Sequence, residues 1–127
     1  MNKKILVIDD EESMRLLLGR LLEAIPAAEV TLANGPDEGM DRIAERRYAL
    51  ILLDLLMPVE GGIQFLTRLR DMPATRETPV IVVSVVSDPE TRSVCQSLGV
   101  ADYVVKPVDR NTLLAAVRKH LGSEAAS

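Results

Sequence analysis

Aromatic residues are scarce in this sequence: no tryptophan, two tyrosines and one phenylalanine among 127 residues. Any core must therefore be aliphatic. Cysteine is nearly absent too; Cys95 has no second cysteine to bond, which excludes an internal disulfide and suits a reducing, cytoplasmic setting. No apolar run approaches the ~20 residues of a membrane helix. The opening "MNKKILVIDD" also lacks the apolar stretch and cleavage site of a secretory leader, so neither insertion nor export is expected. Basic residues are outnumbered, 15 against 19 acidic, for a net charge of -4. Direct nucleic-acid binding is not expected from that balance, because phosphate contacts need clustered cations. There are no internal repeats or low-complexity tracts. What is present, 47% hydrophobic and 27% charged residues, fits one compact domain with a real core. The small polar "GSEAAS" (122–127) reads as a tail or the start of a linker, leaving 1–121 as the domain.

Short aliphatic runs alternate with longer amphipathic ones. The run at 4–8 leads into a stretch where Met14, Leu17, Leu18, Leu21, Leu22 and Ile25 share one helical face, closed by Pro26. "AEVTLA" (28–33) is a second strand, and a second helix follows with Pro36 near its first position and acids in its first turn. "ALILL" (49–53) and "PVIVVS" (79–84) are apolar throughout, as strands buried on both faces of a parallel sheet are. A third helix is expected over 61–71. The fourth, over 88–98, is thinly apolar, with Ser87 as its N-cap and Val94 and Leu98 as its anchors; Cys95 reads as an ordinary helix residue. "DYVV" (102–105) is the fifth strand, and Asp109 caps a last helix bearing Leu113, Leu114, Val117 and Leu121. His120, the sole histidine, lies in its last turn, where a cation suits the helix dipole. Five strands, each followed by a helix, predict a doubly wound α/β domain.

Such sheets bind ligands at the carboxyl ends of their strands. Strand one ends in Asp9 and Asp10, strand three in Asp54, strand four in Ser84 and strand five in Lys106. Two unit charges ~4 Å apart repel by about 4 kcal/mol at an effective dielectric of 20, so adjacent acids closing a buried strand need compensation. Helix capping would employ only one of them and leave the other without a role. A hard divalent cation, which takes one or two carboxylates plus phosphate oxygens, gives both a function.

These residues resemble the receiver domain of two-component response regulators. The resemblance rests on Asp9-Asp10 after strand one, "DLLMP" with Asp54 ending strand three, Ser84 thirty residues on, and Lys106-Pro107. It covers the chain from Lys4 to about Leu121. It implies a flavodoxin-like (βα)5 sheet in the order 2-1-3-4-5, an arrangement for which a member of this family is a standard illustration. It also implies Mg²⁺ or Mn²⁺ held directly by Asp10, Asp54 and the Leu56 backbone carbonyl, with Asp9 acting through water. Asp54 would take a phosphoryl group, Lys106 and Ser84 would stabilise charge on its oxygens, and Ser84, Tyr103 and Pro107 would form the switch. The donor would be a sensor histidine kinase or histidine phosphotransfer protein, since His120 is poorly placed to serve. The output would be a remodelled helix 4–strand 5–helix 5 surface read by a downstream protein or output domain, or a phosphorylation-dependent homodimer. The domain would assist its own phosphorylation rather than act as an enzyme on other substrates.

The sequence departs from that pattern in places. Val85 stands where a small residue usually follows the Ser/Thr, and Glu60-Gly61 stand where a hydrophobe and an Asp or Asn are common, which predicts a looser loop. Leu56 and Val86 cannot hydrogen-bond a hydrolytic water, which predicts a long-lived phosphorylated form. Val85 also favours the alternative, a phosphorylation-independent interaction module of the same fold. A haloacid-dehalogenase-type phosphatase or a flavodoxin is disfavoured by "DDEES" after strand one, which supplies neither an Asp-x-Asp nucleophile nor a hydroxyl-rich phosphate loop.

Overall fold

A computed structural model describes residues 3–121. The tail expected at 122–127 lies outside those residues. Five strands, β1 (Lys3–Ile8), β2 (Ala28–Ala33), β3 (Leu50–Leu53), β4 (Val80–Ser84) and β5 (Asp102–Val105), alternate with five helices. The helices are α1 (Glu12–Leu22), α2 (Pro36–Glu45), α3 (Gly62–Asp71), α4 (Pro89–Ser97) and α5 (Arg110–Leu121). All strand pairs are parallel, in the order β2-β1-β3-β4-β5.

The apolar strands are buried on both faces because their side chains alternate between two cores. Ile5 and Val7 of β1, with Leu50 and Leu52 of β3, pack beneath α1 and α5. Leu6 and Ile8, with Ile51 and Leu53, pack on the other face against α2 and α3, where the single phenylalanine, Phe65, is fully enclosed. A third, smaller cluster of Leu55, Val82 and Cys95 attaches α4.

The helix ends follow from local chemistry. Pro36 opens α2, where it forfeits no helical hydrogen bond, and Glu38 accepts from the Asn34 amide at 2.7 Å. Asp109 caps α5 by accepting from the Thr112 amide at 2.9 Å. Three expectations need correction. The N-cap of α4 is Asp88, which accepts from the Thr91 amide at 3.0 Å, and not Ser87. Carboxylate and hydroxyl both serve as caps, and the one three residues before Thr91 has the reach. Val94 is exposed, whereas Cys95 is the buried residue of α4. On α1, Leu18 and Leu22 are buried while Leu16 and Leu17 face outward, because three successive leucines span too wide an arc to turn inward together.

Candidate functional site: a carboxylate edge bridged by lysine

Parallel pairing brings every strand's carboxyl end to one edge, and the register there is tight: Ile8 lies beside Leu53, and Ser84 beside Val105. The residue after each strand therefore converges with its neighbours. Asp9, Asp10 and Asp54 each offer a carboxylate oxygen within 4.8 Å of the others. Asp9 is 1% exposed and Asp54 5%, while Asp10 is exposed.

Two of the three carboxylates are already engaged. Asp9 accepts from the Glu11 amide at 2.9 Å and from Lys106 Nζ at 2.9 Å. Asp54 accepts from the Leu56 amide at 3.1 Å and from the same ammonium at 3.1 Å. Lys106 thus bridges the two buried acids across the end of the sheet. Burial pushes the Asp9 carboxyl above its ordinary range; hydrogen bonds from Lys106 and the Glu11 amide oppose this, and the neighbouring charge of Asp54 adds to it. Burial pulls the Lys106 ammonium down, but its hydrogen bonds to Asp9 and Asp54 outweigh that and leave it raised. The lysine is firmly cationic. The Lys106-Pro107 peptide bond is cis.

The donor set fits a hard divalent cation. It consists of oxygens alone, it carries more negative charge than Lys106 offsets, and Asp10 makes no side-chain hydrogen bond or ion pair among the described residues. The Leu56 carbonyl likewise accepts no hydrogen bond from them.

Ser84 is fully buried at the end of β4, and its Oγ accepts from the Val86 amide at 3.3 Å. The Tyr103 hydroxyl, on edge strand β5, donates to the Val86 carbonyl, and its ring lies 4.4 Å beneath the Arg92 guanidinium. One residue's backbone, that of Val86, thereby connects Ser84 to Tyr103. Val85 is 56% exposed and Leu56 53%. In the loop after Met57, Glu60 pairs with Arg68. The loop's unusual feature is Val59, a β-branched residue at φ 71°.

Gly62 was not singled out from the sequence, yet it shapes the site. A Cβ there would lie 2.6 Å from the Asp54 carbonyl oxygen and 2.5 Å from Leu55 Cα. Only glycine lets the start of α3 press against the backbone that carries Asp54. The doublet Gly61-Gly62 after a proline was the available signal.

The sequence matches the response regulator receiver domain family over residues 5–118. The sensory/regulatory protein RpfC of Xanthomonas campestris pv. campestris is 38% identical over 113 residues, which is 87% of this chain and 15% of that protein. The phosphate regulon transcriptional regulatory protein PhoB of Rhizobium meliloti is 36% identical over 118 residues, 93% of this chain and 52% of PhoB. The chain therefore spans about half or less of the length of these curated relatives. Among solved structures, the chemotaxis protein CheY4 of Vibrio cholerae superposes with a TM-score of 0.87 at 26% identity, covering 94% of this chain and 99% of its own. The receiver domain of sensor histidine kinase PA1611 from Pseudomonas aeruginosa PAO1, with magnesium in its active-site cleft, superposes with a TM-score of 0.85 at 24% identity, covering 97% of this chain and 100% of its own. The chain belongs to the response regulator receiver domain family of two-component systems. No helix among the described residues is long and apolar enough to cross a membrane.

Proposed function

We propose that this domain accepts a phosphoryl group on Asp54 from a phosphohistidine of a partner sensor kinase or phosphotransfer protein. The observation that carries this reading is the gathering of Asp9, Asp10 and Asp54 within 4.8 Å, with Lys106 bridging two of them. In the transfer, an Asp54 carboxylate oxygen attacks phosphorus while the bond from phosphorus to the donor imidazole nitrogen breaks. Lys106 Nζ, already hydrogen-bonded to Asp54, is placed to follow the charge onto the phosphoryl oxygens. The buried Ser84 hydroxyl supplies a second donor.

Asp10, Asp54 and the Leu56 carbonyl would hold Mg²⁺ or Mn²⁺. Asp9, occupied by the Glu11 amide and Lys106, would act on such an ion through water. The chemistry such an ion supplies is neutralisation of negative charge on the transferring group. The magnesium found in the cleft of the PA1611 receiver supports that assignment by analogy of fold.

Switching follows from the Val86 connection. Ser84 Oγ turning toward phosphoryl oxygens releases the Val86 amide, and Tyr103, bonded to the carbonyl of the same residue, responds. The surface so altered is that of α4, β5 and α5, presented to a downstream protein or output domain. About 5.5 kcal/mol of differential stabilisation moves a population from 1:99 to 99:1. A few charge-assisted hydrogen bonds, roughly 1.5–3 kcal/mol each, reach that. Incubation with a small phosphodonor and magnesium, followed by intact-mass measurement of wild type and Asp54→Ala, tests the assignment.

A further inference from the structure

We propose that a second copy of this chain docks in the groove between α1 and the outer strand β2, the two molecules related by a twofold axis. The groove has a volume of about 470 Å³ and runs between Leu16, Gly19, Arg20 and Glu23 of α1 and Val30 and Leu32 of β2. It lies at the opposite edge of the sheet from β5, so it is separate from the α4–β5–α5 surface.

Three features point to an occupant. The first is the strand. β2 ends the sheet, so its outer backbone groups face no neighbouring strand, and its one charged side chain, Glu29, is engaged by Lys4. Edge strands are ordinarily guarded by charge, proline or a bulge, and β2 presents none of these toward the groove. The second is the helix surface above it. Leu16 is 54% exposed, and Gly19 sits mid-helix although the fold does not require it. A Cβ at Gly19 would meet nothing nearer than the Leu32 methyls at 3.9 Å, an ordinary contact. A helix-weakening glycine without an internal reason leaves bare backbone that an external surface can approach closely.

The third feature identifies the occupant. Arg20 and Glu23 stand one turn apart on the groove's rim, both exposed, and neither makes a side-chain hydrogen bond or ion pair among the described residues. A partner carrying one sign of charge would satisfy one of them and repel the other. A second α1 running antiparallel satisfies both, setting Arg20 of each copy against Glu23 of the other. The same twofold lays β2 antiparallel beside β2 and brings each Leu16 toward the Ala28 end of the opposite groove. This is an isologous, self-complementary contact.

The test needs no phosphodonor, so its outcome is independent of the chemistry at Asp54. Sedimentation velocity of the 127-residue chain over rising concentration should show a monomer–dimer equilibrium. Arg20→Glu and Glu23→Arg, both at exposed positions, should each weaken dimerisation about tenfold or more, because each sets like charges face to face. The double reversal should restore it. Gly19→Leu, which fills the groove and favours the helix, should abolish the dimer while raising the melting temperature. Wild type that stays monomeric at every concentration overturns the proposal and leaves the groove to a different partner. A dimer indifferent to the single reversals, or a double reversal that fails to restore it, overturns it equally.

Discussion

The Lys106 ammonium donates to the Asp54 carboxylate at 3.1 Å, from a lysine side chain only 11% exposed. The same ammonium reaches Asp9, so it offsets the repulsion of two buried acids. Removing one partner from a buried ion pair leaves an uncompensated charge. Lys106→Met is therefore expected to lose about 3 kcal/mol of unfolding free energy in metal-free buffer. Magnesium should recover part of that loss, and urea titrations with and without the ion would measure both.

Asp9 gives a pH-dependent expectation. Burial holds its folded pKa above the ordinary 3.8, so just above pH 3.8 the folded state binds more protons than the unfolded. Its contribution to stability consequently grows as pH falls through that window, and at neutral pH the ionised carboxylate is a net cost. Asp9→Asn should raise the metal-free melting temperature at neutral pH, and the gap from wild type should narrow on acidification toward Asp9's raised pKa. The variant should also respond less to magnesium.

Gly62→Ala tests the support of Asp54 from beneath. Its Cβ would overlap backbone atoms, 2.5 Å from Leu55 Cα, and rigid backbone cannot give way cheaply. The expected cost is roughly 1–3 kcal/mol in stability, read from thermal melts. Phosphorylation should slow in the surviving folded protein, because the Asp54 backbone must shift.

At Val59, φ of 71° burdens a β-branched residue in a loop beside the site. Val59→Gly removes that strain, and such positions cost of order 1–3 kcal/mol. A gain of about 1 kcal/mol by urea titration is expected, offset in part by the added freedom of glycine in the unfolded chain.

Leu56 and the Val86 side chain offer nothing to hold a water in line with an Asp54 phosphate. Leu56→Asn with Val86→Glu should speed dephosphorylation roughly tenfold, the effect of one hydrogen bond worth about 1.4 kcal/mol in the transition state. Decay of the phosphorylated mass with time measures it.

The sheet was readable because β3 and β4 have no alternation to misassign, and because residues ending successive strands converge whatever the loop details. Asp9, Asp10, Asp54, Ser84 and Lys106 stood out for that reason. Helix faces were harder. The spacing put Leu17 and Leu18 together on the inward face, and packing against β1 and β2 turns only Leu18 inward. The same ambiguity of one position exchanged Val94 for Cys95 on α4, and Ser87 for Asp88 at its cap. Gly62 escaped notice because close backbone approach is a three-dimensional fact with no periodic signature. The Val86 backbone was hidden too: the sequence showed an apolar residue two beyond Ser84, while the contact uses its peptide groups.

The most direct test is intact-mass measurement after exposure to a small phosphodonor with magnesium. Wild type should gain the mass of one phosphoryl group, and Asp54→Ala, or wild type with chelator in excess, should gain none. An unchanged wild-type mass, or an equal gain in Asp54→Ala, would contradict the assignment of the carboxylate edge as a phosphoryl acceptor.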